Sequence, residues 1–202
     1  MHRFWDERYQ QEGVYGKAPN PFWVRELERG SPPHAGNRLL LPCEGEGRNA
    51  VWAARKGWTV DAFDGSSVAM NTCRRWAAEA GVEVRTHHTD AFAFEGDARG
   101  YDVIGLFYAH MPPHLRLAFH ERVISWLRPG GRVILEGFEP RQLGLHSGGP
   151  KDAAMLFTPD LLAADFSGLE VLKNETVSVV LDEGPYHQGP AQIIQFTAQK
   201  PA

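Results

Sequence analysis

The chain has 202 residues, 43% hydrophobic and 23% charged, with a formal net charge of −4. That balance excludes an intrinsically disordered chain and gives no large basic surface, so nucleic acid is not an expected partner. No apolar run approaches the roughly 18–20 residues of a membrane span, and two cysteines, Cys43 and Cys73, are too few for a disulfide framework.

The N-terminal segment MHRFWDERYQQEG is polar and aromatic and lacks the apolar stretch of a signal peptide, so a cytoplasmic protein is expected. Residues 1–37 read as an arm of two short helices around the loop Tyr15–Pro21, closed by the breaker stretch Gly30–Asn37. Residues 38–202 read as an α/β core, and the whole chain as one domain. Arg38–Cys43 is a short buried strand. Arg48–Lys56 is helical and stops at Gly57. Trp58–Phe63 alternates as a strand does. Ser66 or Ser67 caps a helix with Ala69, Cys73, Trp76, Ala77 and Ala80 at helical spacing, ended by Gly81. Val82–Thr86 is a weak strand, and Tyr101–Tyr108 a strong one buried on both faces. Pro112 and Pro113 open a helix whose apolar stripe is Leu115, Phe119, Val123, Trp126 and Leu127. Pro129-Gly130-Gly131 then break the chain before strand Arg132–Glu136. Pro140–Asp152 reads as a mobile loop, and Pro159–Phe166 as a helix. Leu169–Leu181 and Ala191–Gln199 are β-like runs joined by Asp182–Pro190, the pattern of an antiparallel hairpin with a long loop. Strands alternating with helices predict a mostly parallel sheet covered on both faces.

In such a sheet ligands bind beyond the carboxyl ends of the strands. The residues to watch are therefore Glu44-Gly45-Glu46-Gly47-Arg48-Asn49, Asp64-Gly65-Ser66, Asp90-Ala91-Phe92, Phe107-Tyr108 with His110, and Glu136-Gly137. The glycines permit a sharp turn and close approach of a ligand. Asp64 stands about 20 residues beyond the turn, the distance at which a carboxylate takes the hydroxyls of a ribose. Gly45-x-Gly47-x-x-Ala50 also satisfies the dinucleotide form, so an NAD(P)-dependent oxidoreductase competes with other nucleoside binders. Glu44 and Glu46 beside the turn would repel a pyrophosphate and tolerate a cation such as a sulfonium. A classical dinucleotide fold would also continue with a parallel sixth strand in place of the hairpin. A non-catalytic nucleoside-binding regulatory protein is the third reading.

Tyr15-Gly16-x-x-Pro19-Asn20-x-Phe22, Gly45-Glu46-Gly47-Arg48-Asn49-Ala50-Val51, Ala62-Phe63-Asp64-x-Ser66, Leu127-x-Pro129-Gly130-Gly131-x-Val133 and Glu183-Gly184-x-x-His187-x-Gly189-x-Ala191 occur in that order. Together they make the chain resemble a class I S-adenosylmethionine-dependent methyltransferase, of the group around the tellurite-resistance and thiopurine methyltransferases. The resemblance implies a Rossmann-like fold, a seven-stranded sheet with an antiparallel last strand, and S-adenosyl-L-methionine as cofactor. It implies that Gly45 and Gly47 pass the methionine part, that Asp64 binds the ribose, and that Asp90 and Ala91 bracket the adenine. It also implies that the arm covers the cofactor through Trp5, Tyr9 and Tyr15. Glu44, Glu46, Asn49, Gly65, Ser66, Phe92, Phe107 and Tyr108 complete the expected cofactor site. One departure is Leu41, where many members carry an acidic residue.

Methyl transfer from a sulfonium is an in-line displacement that needs alignment and exclusion of water. A soft anion needs little more, whereas an alcohol or amine needs a base. The expected acceptor is a small molecule, a thiol or chalcogen oxyanion. His110 and His187 are the candidate catalytic residues, as bases or as groups orienting an anion. Arg48 reads as a solvated helix residue or a partner of Glu44 or Glu46. No metal site is expected, because Pro112-Pro113 interrupt the register of His110 and His114.

Overall fold

The structure, a computed structural model, describes residues 2–30, 34 and 36–202. Its strands are β1 (Arg38–Pro42), β2 (Thr59–Asp64), β3 (Arg85–His88), β4 (Tyr101–Phe107), β5 (Leu127–Phe138), β6 (Glu170–Asp182) and β7 (Gln188–Gln199). Its helices are α1 (His2–Arg8), α2 (Pro21–Glu28), α3 (Arg48–Arg55), α4 (Ser67–Glu79), α5 (Pro113–Trp126) and α6 (Pro159–Asp165). One sheet holds all seven strands in the order β3-β2-β1-β4-β5-β7-β6. β1 to β5 pair in parallel, and β7 runs antiparallel between β5 and β6. This is the expected Rossmann-like architecture with an antiparallel C-terminal hairpin.

The period of two along each strand feeds two cores. Leu39 and Leu41 of β1, Val60 and Ala62 of β2, Val103 of β4 and Ile134 of β5 pack on one face against Trp23, Ala50, Ala53, Met70 and Cys73. Leu40, Phe63, Ile104, Leu106, Val133 and Leu135 point the other way, onto Phe119, Val123, Trp126, Leu162 and Phe166. Both faces being buried explains why the central strands read as continuous apolar runs. Ser66 caps α4 by accepting from Ala69 N, and Asn20 caps α2 by accepting from Phe22 N and Trp23 N.

Four expectations need correction. The third strand is Arg85–His88, not Val82–Thr86: Val84 is buried with Met70 and Ala77 ahead of the ladder, and the polar residues after it pair with Asp61–Asp64. Pro129-Gly130-Gly131 do not break the chain before a strand. They lie within β5, where pairing slips between Tyr101 and Val103, and Gly130 N–H bonds the Lys200 carbonyl at 3.0 Å. The hairpin loop is shorter than Asp182–Pro190, since β6 runs to Asp182 and β7 starts at Gln188. Pro140–Asp152 is not a bare loop: it begins as a 3-10 turn at Pro140–Gly144, and buried Gln142 bonds Ser147 Oγ at 3.0 Å and takes Gln192 N–H at 2.8 Å. In the expected breaker Gly30–Asn37, positions 31–33 and 35 lie outside the described residues. Among the described residues no helix is long and apolar enough to cross a membrane.

Candidate active site

The chain turns sharply after β1. Cys43, Gly45 and Gly47 have φ of 54°, 67° and 94°. Left-handed backbone is costly for a residue with a Cβ, and Cys43 and Tyr108 (φ 56°), the two non-glycine cases among the described residues, each follow a parallel strand at its carboxyl end. Gly47 sits where α3 would be capped and has no side chain to do it. Glu44 supplies the cap, accepting from Asn49 N at 2.8 Å and Ala50 N at 2.9 Å, and burial pushes its carboxyl up to about 7. Asp64 ends β2 with one oxygen accepting from Gly45 N at 3.0 Å and the other from Ser66 N at 2.8 Å. The carboxylate is thereby oriented across the turn.

The arm lies over this turn. A Cβ on Gly45 would stand 2.5 Å from the Tyr9 hydroxyl. Tyr9, Val14 and Ala69 form a small core, with Trp5 stacked on Tyr9 at 5.9 Å and Tyr15 edge-on to it at 6.0 Å. Glu46 does not turn freely toward a ligand, because both its oxygens accept from Gly13 N, at 2.8 and 3.1 Å. Ser66 Oγ donates to Asp6 at 2.7 Å, a second tie between arm and core.

Beyond β3, Asp90 accepts from Phe92 N at 2.8 Å in a tight turn, with Ala91 buried and Phe92 half-buried. A cavity of about 490 Å³ opens beside it, lined by His87, His88, Thr89, Ala93 and Phe94. Another, of about 530 Å³, lies at the amino ends of β4 and β5, among Asp97, Arg99, Arg122 and Arg128, and is remote from the glycine turn. Phe107 faces Trp23 at 5.3 Å on the α2 side of the sheet, so it lines the core beneath the site. Tyr108 turns the other way, toward His187 at 4.4 Å.

The carboxyl ends of β4 and β5 and the adjoining part of the antiparallel β7 enclose a buried polar cluster. Glu136 accepts from Asn20 Nδ2 at 2.6 Å, Tyr108 Oη at 3.0 Å and Gln195 Nε2 at 2.8 Å. Burial nonetheless holds its carboxyl above the usual range. Glu183 accepts from Arg48 Nη2 at 3.0 Å and from His187 Nδ1 at 3.2 Å. Burial pushes the Glu183 carboxyl up, but the His187 bond and the Arg48 charge outweigh it and leave it below its ordinary value. Burial lowers His187 more than Glu183 raises it, so the imidazole is neutral near pH 7. Its Nδ1 donates to Glu183, which leaves Nε2 as the proton acceptor. Arg48 is therefore no solvated helix residue: it is buried, and its partner is Glu183 across the fold.

His110 is placed differently from expectation. Its Nδ1 donates to the Met155 carbonyl at 2.8 Å and its Nε2 accepts from Phe138 N at 3.0 Å. It stacks on Phe157 at 4.4 Å, and burial drives its pKa down to about 4. Neither ring nitrogen is left for an acceptor. Sequence reasoning passed over Asn20 and Gln195 as site residues, and gave Arg48 the wrong surroundings. Asn20 carried a signal, an Asn just ahead of Pro21 at a helix start, whereas Gln195 sits in a β run with nothing to mark it.

Residues 41–131 match the family model of a methyltransferase domain. None of the curated proteins matches the chain. Among solved structures, the chain is similar to the protein of a study on conversion of a disulfide bond into a thioacetal group during echinomycin biosynthesis. There the identity is 18%, with 100% of this chain and 92% of that one covered and a TM-score of 0.79. It is also similar to TehB from Haemophilus influenzae, at 14% identity over 98% of this chain and 66% of that one, TM-score 0.71. A magnesium protoporphyrin IX methyltransferase from Synechocystis PCC 6803 with bound SAH aligns at 17% identity over 88% and 79%, TM-score 0.64. The residues fit the cofactor of that fold: a carboxylate oriented at the end of β2, and a turn after β1 that carries Gly45 and Gly47 with the buried Glu44 carboxyl beside it. S-adenosylmethionine is the cofactor of such domains. Residues 41–131 thus match a methyltransferase domain, and the chain as a whole has the fold of the solved structures named above.

Proposed function

We propose that the protein transfers the methyl group of S-adenosylmethionine to a small nucleophile, a thiol or chalcogen oxyanion, by in-line displacement. The observation that carries this reading is Asp64, held by Gly45 N and Ser66 N at the end of β2 against the glycine turn. Asp64 takes the ribose hydroxyls, Gly45, Gly47 and Asn49 lie along the methionine part, and Asp90, Ala91 and Phe92 flank the adenine. When bound, the cofactor supplies an electrophilic methyl on a positively charged sulfur. Tyr9, Trp5 and Tyr15 close over it and exclude water. Tyr108 and His187 border the acceptor. A thiol is mostly protonated near pH 7, and His187 Nε2 takes that proton while Glu183 steadies the imidazolium that forms. Of the two histidines singled out in the sequence, His187 carries the catalytic role and His110 braces β5.

An oxidoreductase reading is not favoured, because β7 runs antiparallel where a dinucleotide fold continues in parallel. The test is methyl transfer from labelled S-adenosylmethionine to a panel of small thiols and selenite. Wild type is expected to methylate thiols, and His187→Gln to lose about 10²–10⁴ in kcat toward them with unchanged S-adenosylhomocysteine affinity. Binding without transfer across the panel would favour the non-catalytic regulatory reading instead.

A further inference from the structure

We propose that Arg8 is an anion-binding residue at the acceptor side of the site, so that the acceptor bears a carboxylate or similar planar oxyanion beside its reacting atom. The acceptor's identity rests on the methyl-transfer reading; the anion site itself does not. Arg8 is the last residue of α1 and is half-buried. Its guanidinium carbon lies 3.9 Å from the centroid of the Tyr186 ring and 5.2 Å from that of Phe4. Its one hydrogen bond among the described residues runs from Nη1 to Tyr15 Oη at 3.3 Å. Other cations of this region are matched to carboxylates: Arg48 to Glu183, Lys17 and Arg75 to Glu12, Arg3 to Glu7. Among the described residues Arg8 has no such partner.

A guanidinium carries five N–H donors, all in its plane. The Tyr186 ring at 3.9 Å holds the guanidinium by a cation–π contact, and the donors that do not bond Tyr15 are open to an oxyanion. The position is also right. Tyr15, which takes the Arg8 hydrogen bond, lies 4.7 Å from the His187 ring and 6.0 Å from Tyr186. The charged end of Arg8 is therefore one aromatic ring away from the imidazole that takes the proton. Nearby negative charge is already compensated: Glu183 by Arg48, and Glu136 by three donors behind Tyr108. Arg8, the last residue of α1, and Tyr9 just beyond it thus serve both halves of the site, Tyr9 against the glycine turn and Arg8 toward the acceptor.

The test uses two flat probes of matched shape, benzoate and benzamide, titrated into the full-length protein by ligand-observed NMR. Wild type is expected to bind benzoate at least about tenfold more tightly than benzamide. Arg8→Gln should abolish that preference while leaving benzamide affinity and thermal unfolding unchanged, and Arg8→Lys should keep part of it. Equal affinity of wild type for the two probes, or a benzoate preference that survives in Arg8→Gln, overturns the proposal. S-adenosylhomocysteine is titrated in parallel. Its failure to bind wild type would overturn the methyl-transfer reading and with it the assignment of the anion to an acceptor, whereas loss of the benzoate preference alone overturns only the role of Arg8.

Discussion

Glu44 combines two tasks at one position. It caps α3 through Asn49 N and Ala50 N, and burial lifts its carboxyl to about 7, inside the physiological range. In the proposed site its ionised form would favour a sulfonium over a neutral thioether. Affinity for S-adenosylmethionine relative to S-adenosylhomocysteine is therefore expected to rise as pH increases through about 7, and to become flat in Glu44→Gln; calorimetry across pH 6–8 reads both. His187 works with the opposite sign. Burial lowers its pKa despite the Glu183 bond, and the proposed base is its neutral form. The kcat/KM for a thiol should hold below pH 6.5 and fall only as pH drops through the lowered His187 value. His187→Gln should remove that acid limb. A limb unchanged in the variant would assign the proton to another group.

At the scale of elements, the site depends on how the arm and α3 are seated. Asn20 caps α2 and donates to Glu136 at 2.6 Å. Asn20→Ala loses a cap worth about 1 kcal/mol and a bond to a buried carboxyl worth about 1.5–3 kcal/mol, so urea unfolding should show a loss of about 2.5–4 kcal/mol. Gly47 has φ of 94°, and a Cβ there would run into the Cys73 side chain. Gly47→Ala should cost about 2–4 kcal/mol from left-handed strain and overpacking together, read as a lower Tm. The turn was legible in sequence because glycine spacing reports backbone geometry directly. The hairpin was legible because two long β-like runs near the C-terminus had no helix between them. β3 was misplaced because apolarity marks burial, and Val84 is buried outside the ladder while Arg85–His88 pair at the sheet edge. Pro129-Gly130-Gly131 carried the composition of a break, yet a pairing slip absorbs them within β5. The Arg48–Glu183 pair joins residues far apart in sequence, and no local pattern reports such a partnership.

For the whole molecule, three buried imidazoles contribute to the acid side of the stability profile. His110 is held at about 4 by burial, and His120 and His187 are lowered chiefly for the same reason. The unfolded chain protonates these groups near pH 6.5, the folded chain only at lower pH. Their contribution is thus whole above about pH 6.5 and is lost as pH falls toward 4. Tm should decline across that window, and less steeply in His110→Gln. The fold as a whole does not name a reaction, since one architecture serves many chemistries. The functional reading therefore rests on the site, and above all on the carboxylate at the end of β2. Calorimetry of S-adenosylhomocysteine with wild type and Asp64→Ala tests it most directly. Tight binding to wild type and a loss of about 2–3 kcal/mol, roughly 30- to 150-fold in Kd, is expected in the folded variant. Undiminished affinity in Asp64→Ala, or a wild type that binds NADH in preference, would contradict the account.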